Sequence, residues 1–489
     1  MRNRASILLA CSLLTLGGCG RRSDAGPVIV SAIGARPAFV DPGAVPLGTA
    51  SALLTAATTQ GLVRLDASGQ VEPGLAERWT VLDNGASFIF RLREAKWSDG
   101  KPVTAEQVVT ILRRQLGAHA HNPLGHYLSA IDQVVAMTPE VIEIHLARPR
   151  PDILRLLAQP ELGIYRMKPP GGSGPMVIDR WTPGGAVLLR PGYDPDRDDD
   201  DEDARPRPAD DVVLIGERAS LAILRFAEHK SDMVTGGSFT DWPLIAGTTV
   251  PPSSLHREPT TGLFGLAVVN RTGFLADPAN RAAIAEAIDR ESALSAIAPD
   301  WPVSTAILPA QLDSAAAPTQ PDWAGSPLDA RRASASDRVA AWRAAGNSGP
   351  IVVRIALPRG PGATLLYGSV GAALIAVGIT PQRVPLDGDA DLRLIDAVAP
   401  IENARWYLVN ACAPCSDDVV AMIAAARTAP TLAERGAALA RADAALARDA
   451  AFIPIGAPLR WAMVAPQLDQ WQANSRAWHP LNHLRTPPN

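Results

Sequence analysis

Ala95-Lys96-Trp97-Ser98-Asp99-Gly100-Lys101-Pro102-Val103-Thr104-Ala105-Glu106-Gln107-Val108 is the stretch on which the fold reading turns. Trp97-Ser98-Asp99-Gly100 reads as a turn. Thr104 is a helix N-cap residue with an acid, Glu106, in the first turn, so a helix is expected over 108–116. Just upstream, Asn84-Gly85 is a strong turn signal. Ser87-Phe88-Ile89-Phe90-Arg91-Leu92-Arg93 then has strand propensity with near-alternation. A strand, a turn and a capped helix therefore follow one another within thirty residues or so of chain.

Working outward, strands are expected at 28–30, 61–65, 141–146, 187–190, 212–215, 351–357 and 392–395. Helices are expected at 51–59, 281–297, 331–345, 364–377, 417–428 and 431–448. Strands alternating with helices make this an α/β chain. The Gly/Pro-rich segment 169–175 suggests a loop between lobes. No internal repeat is visible.

With 489 residues the chain is too long for one compact core, so two or three lobes are expected. A formal net charge of −4 provides no global field for nucleic acid or anionic membrane. Arg2 and Arg4 precede an apolar run, 7–16, too short to span a bilayer. That run leads into Leu16-Gly17-Gly18-Cys19, which resembles the bacterial lipoprotein box, so residues 1–18 are expected to be a signal peptide and Cys19 the lipidated anchor. An ordinary secretory signal with an incidental cysteine is the alternative. Residues 19–27 then form a polar tether. Once Cys11 leaves with the signal, Cys412 and Cys415 remain, and one pair in an oxidising compartment is most simply a disulfide.

Several dozen residues, in order, resemble the family 5 bacterial extracellular solute-binding proteins. They are Asp41-Pro42, Gly61-Leu62-Val63-Arg64-Leu65-Asp66, the run Val71 through Trp79, and Asp83 through Val108. Weaker matches follow: Gly172-Ser173-Gly174-Pro175 with Trp181 and Gly184, Gly265 through Asn270, Arg281 through Ile284, and Ala287 through Glu291. At the close stands 439–455, read as a helix ending in Phe452-Ile453-Pro454-Ile455. The resemblance implies a two-lobed periplasmic-binding-protein type II fold with an extra inserted lobe, cluster C-like. It places a first large lobe at 28–262, with an inserted small lobe at about 51–170, and a second large lobe at 263–465. Residues 466–489 would return to the first lobe. It further implies a receptor for peptides or a related small solute, working with the permease subunits of an ABC importer on the outer side of the cytoplasmic membrane. No cofactor and no nucleic acid are implied.

Catalytic motifs are absent: there is no Gly-x-Ser-x-Gly, no His-Glu-x-x-His and no phosphate loop ending in Gly-Lys-Ser/Thr. His119, His121 and His126 cluster in a polar segment and could hold nickel or zinc, but read first as solvated loop histidines, and no metal site is assigned. The acidic run within 194–211 lacks the glycine and glutamate that a calcium loop needs at Asp199 and Arg205, and reads as a solvated loop. Cys412-Ala413-Pro414-Cys415 before a helix could also be a redox dithiol or a metal pair. Peptide-binding members of the resembled family seat the ligand's α-amine on a carboxylate of the second lobe. The matching region, 391–402, lacks the family's tryptophan and its Asp-Pro. Asp396 is the candidate anchor, with Glu402 behind it, and both also read as plain strand-end or loop carboxylates. Trp406 and Tyr407 could line the cleft or belong to the core. A non-peptide ligand, such as a metal chelate, or an orphan lipoprotein that kept the fold is the alternative. A lipid-anchored hydrolase stands last.

Overall fold

Each residue type in the stretch 95–108 has a task in the folded chain. Gly100 adopts φ +81° and its N–H donates to the Trp97 carbonyl at 2.8 Å, closing the turn. Thr104 caps the helix Ala105–Leu116, and Gln107 reaches back to the Thr104 N–H in a capping box. The same Gln107 oxygen accepts the Trp97 indole N–H at 2.8 Å, so the cap also satisfies a buried polar group. Arg166 lies over the Trp97 ring, 4.4 Å from its centroid, and pairs with Asp99 at 2.8 Å.

The computed structural model describes residues 25–41, 46–117, 120, 122, 124–150, 152–168, 170–194, 206–310 and 312–486. Its sheets divide the chain three ways. A seven-stranded sheet runs in the order Met176–Trp181, Val187–Pro191, Val212–Glu217, Val28–Ile33, Met233–Ser238, Arg460–Val464, Leu255–Arg257. Val28–Ile33 is its centre, parallel to both neighbours. Val30 and Ala32 are wholly buried, as expected for a strand covered on both faces. A five-stranded sheet has the order Thr380–Pro385, Val352–Leu357, Leu392–Val398, Gly262–Val268, Phe452–Gly456. An antiparallel four-stranded sheet, Ala76–Leu82, Ser87–Leu92, Val141–Leu146, Ile131–Thr138, packs Phe88, Phe90, Ile142 and Ile144 into one core with Val108 and Leu112 of the capped helix.

Glycines allow two close approaches that build this unit. A Cβ at Gly74 would stand 2.6 Å from the Gly61 carbonyl oxygen, and one at Gly61 only 2.5 Å from that of Leu157. The chain passes between the two large sheets twice, from Leu255–Arg257 into Gly262–Val268 and from Phe452–Gly456 into Arg460–Val464. The tail returns Leu468, Leu481 and Leu484 to the core beneath Val28 and Val30. No described helix is long and apolar enough to cross a membrane.

Three local expectations need correction. The helix expected over 281–297 is two, Pro278–Ala287 and Arg290–Ser295, because Asp289 stops the first and caps the second through Ser292 N–H. The closing helix stops at Asp449. Ala450 turns left-handed at φ 46°, and Phe452–Gly456 is a fully buried strand. The segment expected as an inter-lobe loop contributes a short strand, Pro170–Gly172, paired with Tyr165–Met167.

Candidate functional site

The two crossings lie side by side. Glu258 N–H donates to the Arg460 carbonyl at 3.0 Å, and Thr260 Oγ1 donates to that of Pro458 at 2.5 Å. Asp396 stands next to them on Leu392–Val398, opposite Phe264 in the sheet. Arg460 Nη1 donates to Asp396 Oδ1 at 2.8 Å, and Nη2 donates to the Asp396 carbonyl at 3.2 Å. Burial pushes the Asp396 carboxyl upward, and the Arg460 guanidinium opposes that shift. The expected counter-charge for a ligand ammonium thus already has a cation from the neighbouring sheet.

Glu402 lies beyond the end of the same strand. Arg155 Nη1 stands 2.5 Å from it and Arg476 Nη2 3.7 Å, one from the segment after the four-stranded sheet and one from the tail. The carboxylate is half exposed, so this is a bridging pair rather than a sealed one. Trp406 and Tyr407 sit on the helix Ala404–Ala411, which Asn403 caps through the Arg405 N–H. Both rings are buried, edge to face with centroids 5.0 Å apart, in the core that also holds Phe90 and Leu112. Burial raises the Tyr407 phenol as well. Cys412 and Cys415 follow that helix as a disulfide with Cα atoms 5.0 Å apart, partly buried against the same core.

Residues that sequence reasoning did not single out hold the halves together. Asn410 Nδ2 donates to the Tyr127 hydroxyl at 3.2 Å, and Arg150 Nη2 to the Arg427 carbonyl at 2.8 Å. Asn403 Nδ2 donates to Asp152 at 2.6 Å, and Gln159 Nε2 to the Pro400 carbonyl at 3.2 Å. On the other flank, the Gly362 N–H donates to the Thr240 carbonyl at 3.0 Å. A Cβ on Gly362 would fall 1.9 Å from the Phe239 carbonyl oxygen. The five-stranded half is therefore closed against both other sheets. Only Asn403 carried a local signal, as a cap residue ahead of a helix. The rest become partners through tertiary packing alone.

Cys19 and the aspartates 196–203 lie outside the described residues, as do His119, His121 and the side chain of His126. Among the described residues no three His, Cys, Asp or Glu side chains converge on a metal position. The chemistry available at the interface is charge pairing and hydrogen bonding across two adjacent chain crossings.

Two lobes joined by paired crossing strands, with a smaller lobe inserted, are the architecture of type II periplasmic binding proteins, and solved structures of that class match this one. Haemophilus influenzae OppA in complex with RPPGFSPFR superposes with a TM-score of 0.77 at 17% identity, covering 94% of this chain and 99% of that one. The Escherichia coli murein tripeptide binding protein MppA gives 0.78 at 18% identity, covering 94% and 98%; its unliganded open form, over 94% and 96%, gives 0.64 at 18%. In sequence, residues 70–338 match the model for bacterial extracellular solute-binding proteins, family 5 Middle, and the chain belongs to that family. Over an alignment of 185 positions the chain is 31% identical to the "Probable deoxycholate-binding periplasmic protein YgiS" of Escherichia coli K12, the match spanning 32% of this chain and 34% of that relative.

Proposed function

We propose that this protein is the extracytoplasmic receptor of an ABC importer, which captures a peptide or a related small solute by closing its lobes and does not alter it chemically. The observation that carries the reading is the closed interface across two adjacent crossings, a hinge geometry suited to trapping a solute between lobes. Family membership supports it, and so does the fold shared with an OppA that holds a bound peptide. We take the first lobe as 28–262 with its insert at about 51–170. The second lobe opens at 263 and ends before Arg460, ahead of the 465 read from the sequence, because Arg460–Val464 lies in the seven-stranded sheet. Cys19 carries the lipid that tethers the body to the membrane.

Native mass spectrometry of protein purified without denaturation tests this. Co-purifying masses spaced like amino-acid residues support a peptide receptor, and a single other mass moves the assignment to that solute. An empty protein with no thermal shift on adding a mixed peptide digest counts against the peptide reading.

A further inference from the structure

A cavity of about 270 Å³ opens where the inserted lobe meets the helices of the second lobe. Five arginines line it, Arg148, Arg150, Arg405, Arg427 and Arg435, against one carboxylate, Asp152. Arg148 and Arg150 arrive from the chain after the four-stranded sheet, and the other three from the helical part of the second lobe. Asp152 accepts from Asn403, and Asp313 accepts from Arg435 Nε and Nη2 at 3.1 and 2.9 Å. Among the described residues no carboxylate lies within ion-pair distance of Arg148, Arg150 or Arg427. Ser129, Thr428 and the Tyr127 ring complete a polar wall.

Closure therefore brings Arg148 and Arg150 of one lobe beside Arg427 of the other, with the Asp152 charge offsetting only part of theirs, which costs free energy unless an anion lies between them. Burial, then the nearby Arg435 guanidinium, lowers the Arg150 pKa against the pull of Asp152, and burial lowers that of Arg405 against the pull of Tyr127, with Arg427 and Arg435 adding to the effect. We propose that this cavity binds a small polyanionic solute, one carrying two or more carboxylate or phosphate groups, whose charge closes the inserted lobe onto the second lobe. Guanidinium forks suit such groups because they present paired donors to paired oxygens. This rests on the receptor reading and deepens it by naming the charge of what is captured.

Titration calorimetry of the whole protein with citrate and with inorganic pyrophosphate, at constant ionic strength, tests the assignment. Saturable binding of at least one is expected. It should weaken about tenfold or more in an Arg148→Gln/Arg427→Gln variant and recover in part in Arg148→Lys/Arg427→Lys. Without anion, the glutamine variant should melt higher than the parent, because repulsion is relieved at side chains that bond no carboxylate. No saturable binding of either probe overturns the proposal, as does equal affinity in parent and glutamine variant. If a co-purified uncharged solute is retained by the glutamine variant, the polyanion assignment falls while the receptor reading stands. If citrate binds saturably but small-angle scattering shows no change in dimensions, closure by the anion falls, and with it the proposal.

Discussion

Arg460 Nη1 stands 2.8 Å from Asp396 Oδ1, joining the strand next to one edge of the seven-stranded sheet to the central strand of the five-stranded one. Both side chains are more than four-fifths buried. A pair so placed couples the two sheets where the chain crosses between them and leaves little room for a ligand ammonium on the same carboxylate.

Removing one member of that pair leaves the other charged and desolvated. Arg460→Met is expected to cost about 3 kcal/mol, and the joint Arg460→Met/Asp396→Leu change to recover most of it. Thermal melting of the three variants checks this. Equal melting temperatures for the single and the double variant would remove the argument.

Gly362 sets how closely the lobes approach. Its absent Cβ would lie 1.9 Å from the Phe239 carbonyl oxygen, backbone that cannot rotate away. Gly362→Ala is expected to hold the lobes apart, raising the radius of gyration in small-angle scattering and weakening solute retention. An unchanged radius would show that closure does not pass through this contact.

Trp406 is buried edge to face against Tyr407. Trp406→Ala should destabilise by about 3–5 kcal/mol through the cavity it leaves, and Trp406→Phe by much less. The masses retained on purification should be the same for Trp406→Phe as for the parent. A change in them would return this ring to the ligand site.

Asp391 ties stability to acid. Burial alone would raise its carboxyl, but bonds from the Arg354 side chain and N–H and from Asn270 outweigh that and hold it below the ordinary 3.8. A depressed folded-state pKa adds stability that is complete above the ordinary value and is lost as pH falls through the folded one. Melting temperature should therefore drop as pH falls below about 4. Asp391→Asn should be less stable at neutral pH and show a shallower drop across that acid range. Parallel profiles for the two proteins would exclude this carboxylate as the source.

Parts whose cause is local are legible in the sequence alone. Thr104 and Thr431 cap helices wherever the chain carries them, Asn84-Gly85 and Asp99-Gly100 turn because glycine accepts positive φ, and alternation marks Ser87–Leu92 and Val141–Leu146 as strands. Those signals, in order, were enough to place the chain in its family. The sequence could not reveal that Phe452-Ile453-Pro454-Ile455 is strand, since a short apolar run after a helix has no period of its own until Ala450 turns it. Side-chain partners come from packing. Arg460 meets Asp396 across 64 residues of chain, Arg155 and Arg476 flank Glu402, and five arginines from two lobes surround one cavity. Such pairings depend on how separate elements pack, and a charge carries no mark of its distant neighbour along the chain.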